Sequence, residues 1–126
     1  MIDTKKLYDL HINEVKIQRS AARGFLPFIC SLIDDIQLVA PISSYVELGV
    51  ASAGSHKRYA QASIDVAIYG VERFHPNMTD IATYSREIES YNNAVKIIEE
   101  FPNIEVLFGE SAYDYTAPEK LSKLSN

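Results

Sequence analysis

The chain has 126 residues, a length that suits one domain. Hydrophobic residues make up 47% of the sequence and charged residues 23%, and no segment offers the roughly 20 apolar residues of a membrane helix, so we expect a soluble globular protein without a membrane partner. The formal net charge is −5 and no basic tract occurs, which argues against a nucleic-acid partner.

The N-terminus and the cysteine content indicate the compartment. Met1 to Leu10 lacks the basic start, apolar core and cleavage site of a signal peptide, and Cys30 is the only cysteine. We therefore expect a cytoplasmic protein. Cys30 stands inside the apolar run from Phe25 to Ile33, where a cysteine is typically a buried small hydrophobe.

The first third of the sequence predicts two helices. Apolar residues recur at helical spacing from Thr4 to about Arg19, and a second apolar segment runs from Phe25 to Val39. We predict a break between the two helices near Arg23 and Gly24. Residues 1–40 would then form a helical segment of the same domain.

Three short apolar runs follow, each of the type found in buried parallel strands. They are Tyr45 to Val50, Val66 to Val71 and Ile104 to Phe108. A helix from His56 to about Ala62, capped by Ser55, connects the first two.

A long amphipathic helix connects the second and third strands. Asn77 or Thr79 can cap it, and it ends before Pro102. A further helix can begin at Pro118 and continue to Leu124. Residues 41–126 thus predict a βαβαβ unit, which is half of a Rossmann-like α/β fold: three parallel strands with crossover helices, preceded by two N-terminal helices.

The turn from Glu47 to Ser55 carries the clearest functional signal, because small residues there let the backbone approach a ligand at a helix N-terminus. The alternative is that these small residues only form a tight turn from strand to helix.

Glu47 is costly to bury unless a cationic group pairs with it. Glu72 can accept hydrogen bonds from a ribose, or can simply reach solvent. With Glu110 and Ser111 after the third strand, three strand ends present acidic or small residues at the rim where open α/β sheets bind ligands.

These three strand ends resemble motifs I, II and III of class I methyltransferases that use S-adenosylmethionine. They read VELGVASAGS, AIYGVE and VLFGES, and the likeness covers about residues 42–115. It is greatest to the branch that includes cephalosporin-hydroxylase-like and macrocin-type O-methyltransferases. The resemblance implies S-adenosylmethionine as the cofactor and a small molecule as the methyl acceptor.

The resemblance assigns a role to each matching position. Glu47 and Gly49 would lie beside the amino-acid end of the cofactor, and Glu72 would hold the ribose hydroxyls. Glu110 and Ser111 would flank the adenine. The turn that passes close to the cofactor contains Ala51, Gly54 and Ser55.

The sequence also departs from the methyltransferase pattern. Ala51 and Ala53 stand where such enzymes often have glycine, and the sequence ends at Asn126, before strands four to seven of a complete fold. We therefore assign no catalytic residue and expect the chain to be inactive alone. The histidines share no ligand spacing, so we predict no metal site and surface or loop positions for His11, His56 and His75.

Three functions stay open. The first is a methyltransferase, or its cofactor-binding part, and the second is a non-catalytic nucleotide-binding or oligomerisation module. The third is a nicotinamide-dependent oxidoreductase, whose GxGxxG fingerprint is not matched because the glycine after Gly49 comes five residues later.

The expected sheet leaves one edge of the first strand free. Tyr45 to Val50 contains no proline and no lysine, the residues that commonly protect such an edge. We therefore expect a homodimer or higher homo-oligomer, in which this edge or the two N-terminal helices contact a second chain.

Overall fold

A three-stranded parallel sheet in the order β1-β2-β3 organises the chain. The computed structural model describes residues 1–14, 21–77, 85–115 and 118–124. Within these ranges the strands are β1 (Ser44–Leu48), β2 (Ala67–Glu72) and β3 (Ile104–Phe108). The strand β2 is therefore central, and β1 and β3 form the two edges.

Helices precede, connect and follow the strands. In chain order they are α1 (Thr4–Glu14), α2 (Ala21–Val39), α3 (Gly54–Ala62), α4 (Ser85–Glu100), a 3-10 turn (Ala112–Tyr115) and α5 (Pro118–Leu124). None of the helices in the described ranges is both long enough and apolar enough to cross a membrane. The α/β class, the three parallel strands and the two helices before them are confirmed, and they are consistent with a partial Rossmann-like fold.

Some predicted boundaries are wrong, including those of β2, which runs from Ala67 to Glu72 and not from Val66 to Val71. The helix α2 begins at Ala21, so Arg23 and Gly24 lie inside it instead of forming a break. A glycine within a helix costs only about 1 kcal/mol relative to alanine, which the packing of a 19-residue helix can offset. The strand β1 ends at Leu48 and not at Val50, because the chain turns at Gly49, whose φ is 92°.

The predicted cap of α3 is also wrong. The N-cap residue is Ala53, in the left-handed conformation and without a side-chain cap, and Ser55 already lies within the helix. Thr79 and the predicted end of the first helix at Arg19 lie outside the described residues. Asn77 lies in a turn, where its backbone N–H donates to Nδ1 of His75 at 3.1 Å.

The main core lies on one face of the sheet. Strand register pairs Glu47 with Gly70, and Gly70 with Val106, so these positions share that face. Helices α1, α2 and α3 contribute most of the buried side chains there. The core includes Leu7, Leu26, Cys30, Ile33, Tyr59, Ile68 and Ile104. The opposite face carries a smaller cluster that includes Val71, Tyr115 and Leu124.

At Gly70, side chains of α3 and of the turn before it lie close against the sheet. A Cβ atom at this position would stand 2.6 Å from Nε2 of His56 and 2.7 Å from Cγ2 of Val50. Real Cβ atoms do not approach other atoms so closely. The absence of a side chain at Gly70 therefore lets the His56 ring lie directly over β2.

We expect Gly70→Ala to lower the free energy of unfolding by about 1–3 kcal/mol, because the added methyl group overpacks the contact with His56 and Val50. Gly54→Ala is the matched control, since a Cβ there meets only Nη1 of Arg58, at 3.6 Å. Urea denaturation of both variants measures the difference. Equal stability of the two variants would contradict the close approach.

Candidate functional site

Glu47 lies one residue before the end of β1 and is half-buried. Its Oε2 accepts hydrogen bonds from Oγ of Ser55 at 3.0 Å and from the Tyr45 hydroxyl at 3.5 Å. The carboxylate therefore connects the strand to the first turn of α3. Ser55, predicted as a helix cap, instead helps to satisfy a partly buried charge.

Two stacked tyrosines support this carboxylate. The ring centroids of Tyr45 and Tyr59 are 4.0 Å apart, with an interplanar angle of 15°. Burial raises the pKa of both phenols, and for Tyr45 the neighbouring Tyr59 and Glu47 raise it further. Tyr45 therefore stays protonated near neutral pH, and its hydroxyl can donate to Glu47.

The turn between β1 and α3 has an unusual backbone. Gly49, Ala51 and Ala53 have positive φ angles of 92°, 47° and 63°. For an alanine this conformation costs about 1–2 kcal/mol, and such costs are concentrated at functional sites. The two alanines that depart from the methyltransferase pattern thus occupy positions whose backbone favours glycine.

The Glu72 carboxylate holds this turn in place. Its Oε1 accepts the backbone N–H groups of Val50 at 3.2 Å and of Ala51 at 3.1 Å. Its Oε2 accepts the N–H of Phe74 at 2.9 Å. Since a carboxylate offers about four lone-pair positions, these bonds leave about one on Oε2 for a ligand hydroxyl.

A cavity of about 210 Å³ opens beside Glu72, between the strand ends and α4. Three of its lining side chains are aromatic, and the Tyr91 ring meets Phe108 at a centroid distance of 4.8 Å and Phe74 at 6.3 Å, both nearly edge to face. The full lining is Ala51, Glu72, Phe74, Arg86, Glu87, Ser90, Tyr91 and Phe108.

The cavity includes only part of the site that the sequence predicts. Ala51 and Glu72 line it, whereas the other predicted residues do not. The loop after β3 is bonded to the end of β2, because the N–H groups of Gly109 and Glu110 donate to the Glu72 carbonyl at 2.8 and 3.3 Å. The predicted residues outside the lining are Glu47, Gly49, Gly54, Ser55, Glu110 and Ser111.

Sequence reasoning missed the aromatic part of the site. Phe74 follows Glu72 by two residues, and Phe108 ends β3, so both could have been placed near the rim. Tyr91 lies in α4, which the sequence predicts only as a long amphipathic helix. Its position beside the strand ends depends on how α4 packs, which its spacing does not reveal.

His56 corrects a further prediction, because it is fully buried in α3 and not on the surface or in a loop. Neither ring nitrogen makes a hydrogen bond of good geometry with the described residues, although the Tyr69 backbone lies close enough to interact with the ring. Burial lowers the pKa of His56, although the Glu47 carboxylate and the Tyr69 backbone act in the opposite direction. The ring is therefore neutral near pH 7. Within the described ranges, no group of three acidic, histidine or cysteine side chains could hold a metal ion.

Comparisons with known proteins give no match: no protein family, no curated protein and no solved structure is significantly similar to this chain.

The buried His56 predicts a pH dependence of stability. Its pKa is lower in the folded state than the value of about 6.5 in the unfolded chain. Below that pH the unfolded state therefore binds a proton that the folded state does not. The free energy of unfolding should fall as the pH drops below about 6.5, by at most about 1.4 kcal/mol per pH unit. At higher pH, His56 should not change the free energy of unfolding further.

Urea denaturation between pH 7.5 and 5.5 tests this dependence. We expect His56→Gln to flatten the slope and the control His75→Gln to retain it. An unchanged slope in His56→Gln would assign the dependence to another group.

The left-handed alanine at position 51 predicts a stabilising substitution. Ala51 is exposed, so Ala51→Gly removes backbone strain with little loss of packing and should raise the free energy of unfolding by up to about 1 kcal/mol. Ala60→Gly, in the middle of α3, should lower it by about 1 kcal/mol or more. Denaturant midpoints compare the two, and destabilisation by both would refute the strain.

Proposed function

We propose that the protein binds S-adenosylmethionine at the carboxyl-end rim of the sheet and serves as the cofactor-binding part of a methyltransferase for a small-molecule acceptor. The observation that carries the proposal is the position of Glu72. Its carboxylate both holds the strand-to-helix turn and forms one wall of an aromatic cavity. A nucleoside requires these two features side by side, a hydroxyl acceptor and an apolar slot for a flat base.

The aromatic cavity suits the base of the cofactor. Small-molecule sites commonly measure about 300–1,000 Å³, so a cavity of about 210 Å³ can hold only part of such a ligand. The rings of Phe74, Tyr91 and Phe108 offer an apolar surface for a flat heterocycle, and stacking on an aromatic side chain contributes about 1–3 kcal/mol per base. The rest of the ligand would lie outside the cavity, along the open turn.

Glu72 suits the ribose. One lone pair of Oε2 stays available after its backbone bonds, which allows one charge-assisted hydrogen bond from a ribose hydroxyl. Ala51, which also lines the cavity, is exposed, so a ligand can approach the turn there. The sugar would therefore lie between Glu72 and the turn.

The remaining part of the cofactor is cationic at its sulfonium and amino groups. Glu47 provides a half-buried carboxylate on the α3 side of the turn, where such a cation would be favoured. When bound, S-adenosylmethionine supplies an activated methyl group. The described residues bind and orient this group, and orientation towards an acceptor is the main contribution of a protein to methyl transfer.

A non-catalytic nucleotide-binding module is the second candidate. The specific observation in its favour is that Glu72 already accepts three backbone N–H groups, so the turn is held without a ligand. Because the chain is expected to be inactive alone, ligand preference separates the two candidates: tighter binding of S-adenosylmethionine than of ATP favours the first, and the reverse favours the second.

Titration calorimetry with S-adenosylmethionine and its demethylated product tests the site. We expect binding by the wild type and a loss of about 1–3 kcal/mol in Tyr91→Leu, because the ring that stacks on the base is removed. Tyr113→Leu is the matched control, since Tyr113 is 87% exposed and lies outside the cavity.

Two results would refute this placement of the cofactor. One is the absence of binding at millimolar ligand, and the other is equal affinity of the two leucine variants. A nicotinamide dinucleotide titrated in parallel tests the oxidoreductase alternative, and tighter binding of that ligand would favour it.

A further inference from the structure

We infer that the protein forms a two-fold symmetric homodimer in which α2 packs antiparallel against α2 of a second copy. A row of exposed apolar side chains, called the α2 stripe, runs along this helix. Their exposed fractions range from 44% to 89%, although each side chain is large and apolar. The α2 stripe consists of Phe25, Phe28, Leu32, Ile36 and Val39.

The α2 stripe is separate from the side of α2 that faces the core. At 3.6 residues per turn, its five members fall within an arc of about 80° and run for about 21 Å along the helix. The buried residues Leu26, Cys30 and Ile33 lie about 130° away around the same helix. The helix thus has two apolar sides, and the protein itself buries only one of them.

Hydrogen bonds fix which side faces outward. The Gln37 side chain accepts the Ile2 N–H at 2.6 Å and donates to the Ile2 carbonyl at 3.0 Å. The Thr4 hydroxyl donates to Oδ1 of Asp34 at 2.7 Å. Rotation of α2 to bury the stripe would break these bonds and expose Leu26 and Ile33. An exposed apolar row of this size is typical of an interaction surface.

The α2 stripe is complementary to itself. In an antiparallel pair with the two-fold axis at Leu32, each residue n lies opposite residue 64 − n of the other copy. Leu32 then faces Leu32, Phe28 faces Ile36, and Phe25 faces Val39. Every member of the stripe meets another member, and each large ring faces a smaller aliphatic side chain, which favours interdigitation. A symmetric contact of one surface with itself is the usual form of a homodimer interface.

The charged side chains near the α2 stripe are compatible with this register. The only charged residues between Phe25 and Val39 are Asp34 and Asp35. Asp35 lies opposite Ile29 of the other copy. The two Asp35 residues of the dimer are about 9 Å apart, measured along the helix axis. That separation is about one Debye length at physiological ionic strength, so salt weakens their repulsion. Asp34 is bonded to Thr4 on the side of α1.

The α2 stripe supplies a large part of the area that a stable contact needs. Interfaces of standard size take about 800 Å² from each partner. An aromatic side chain can bury on the order of 200 Å². At their observed exposures, the two phenylalanines and three aliphatic side chains of the α2 stripe supply most of the required area.

Sedimentation velocity across a range of concentrations tests the dimer. The wild type should have twice the chain mass of 14.1 kDa. Leu32→Glu should raise the dissociation constant by about 30-fold or more, since it places two carboxylates together at the two-fold axis. The matched control is Leu38→Glu, which changes a side chain that is 85% exposed on the same helix but lies outside the stripe. It should leave the dimer intact.

A charge-complementation experiment tests the register. Leu32→Lys alone should also be monomeric, whereas an equimolar mixture of Leu32→Glu and Leu32→Lys should form a one-to-one heterodimer, identified by native mass spectrometry. Circular dichroism checks that each variant is folded. The inference is overturned by a wild type that is monomeric or heterogeneously aggregated, by a Leu32→Glu variant that dimerises like the wild type, or by a mixture that forms no heterodimer.

Discussion

The hydrogen bonds of the Glu72 carboxylate connect the two parts of the chain on which the candidate site depends. One oxygen holds the N–H groups of Val50 and Ala51 in the turn after β1, and the other holds Phe74 in the loop after β2. Because β1 and β2 are neighbouring parallel strands, one side chain can bridge both loops. The bridge offsets the cost of a left-handed alanine in an exposed turn.

Below this turn, the packing depends on the absence of a side chain at Gly70. The space above Gly70 accepts the His56 ring, and α3 can therefore approach the sheet closely enough for Ser55 to reach Glu47. The cost is a buried imidazole that makes no hydrogen bond of good geometry with the described residues. Such a group makes stability sensitive to pH, and it lies directly beneath the rim where we propose that the cofactor binds.

The proposed ligand site and the inferred dimer surface use separate parts of the molecule. The rim is formed by strand ends, their loops and α4, whereas the dimer surface belongs to the outer side of α2. The two proposals can therefore fail independently. A monomeric protein could still bind S-adenosylmethionine, and a dimer could form without any nucleotide. The α2 stripe also gives a more specific basis for self-association than the free edge of β1, because its residues define a register.

The sequence by itself determined the α/β class, the three parallel strands and the acidic residue at the end of β2, because apolar runs and their spacing reflect local burial. The bounds of β3 and α5 were predicted residue for residue. The burial and contacts of individual side chains were decided only by the tertiary structure. Ser55 bonds to Glu47 instead of capping α3, His56 is buried instead of exposed, and Tyr91 joins Phe108 beside Glu72. These outcomes depend on which residue of a distant segment lies opposite, here Gly70 beneath His56, and a pattern along one chain does not contain that information.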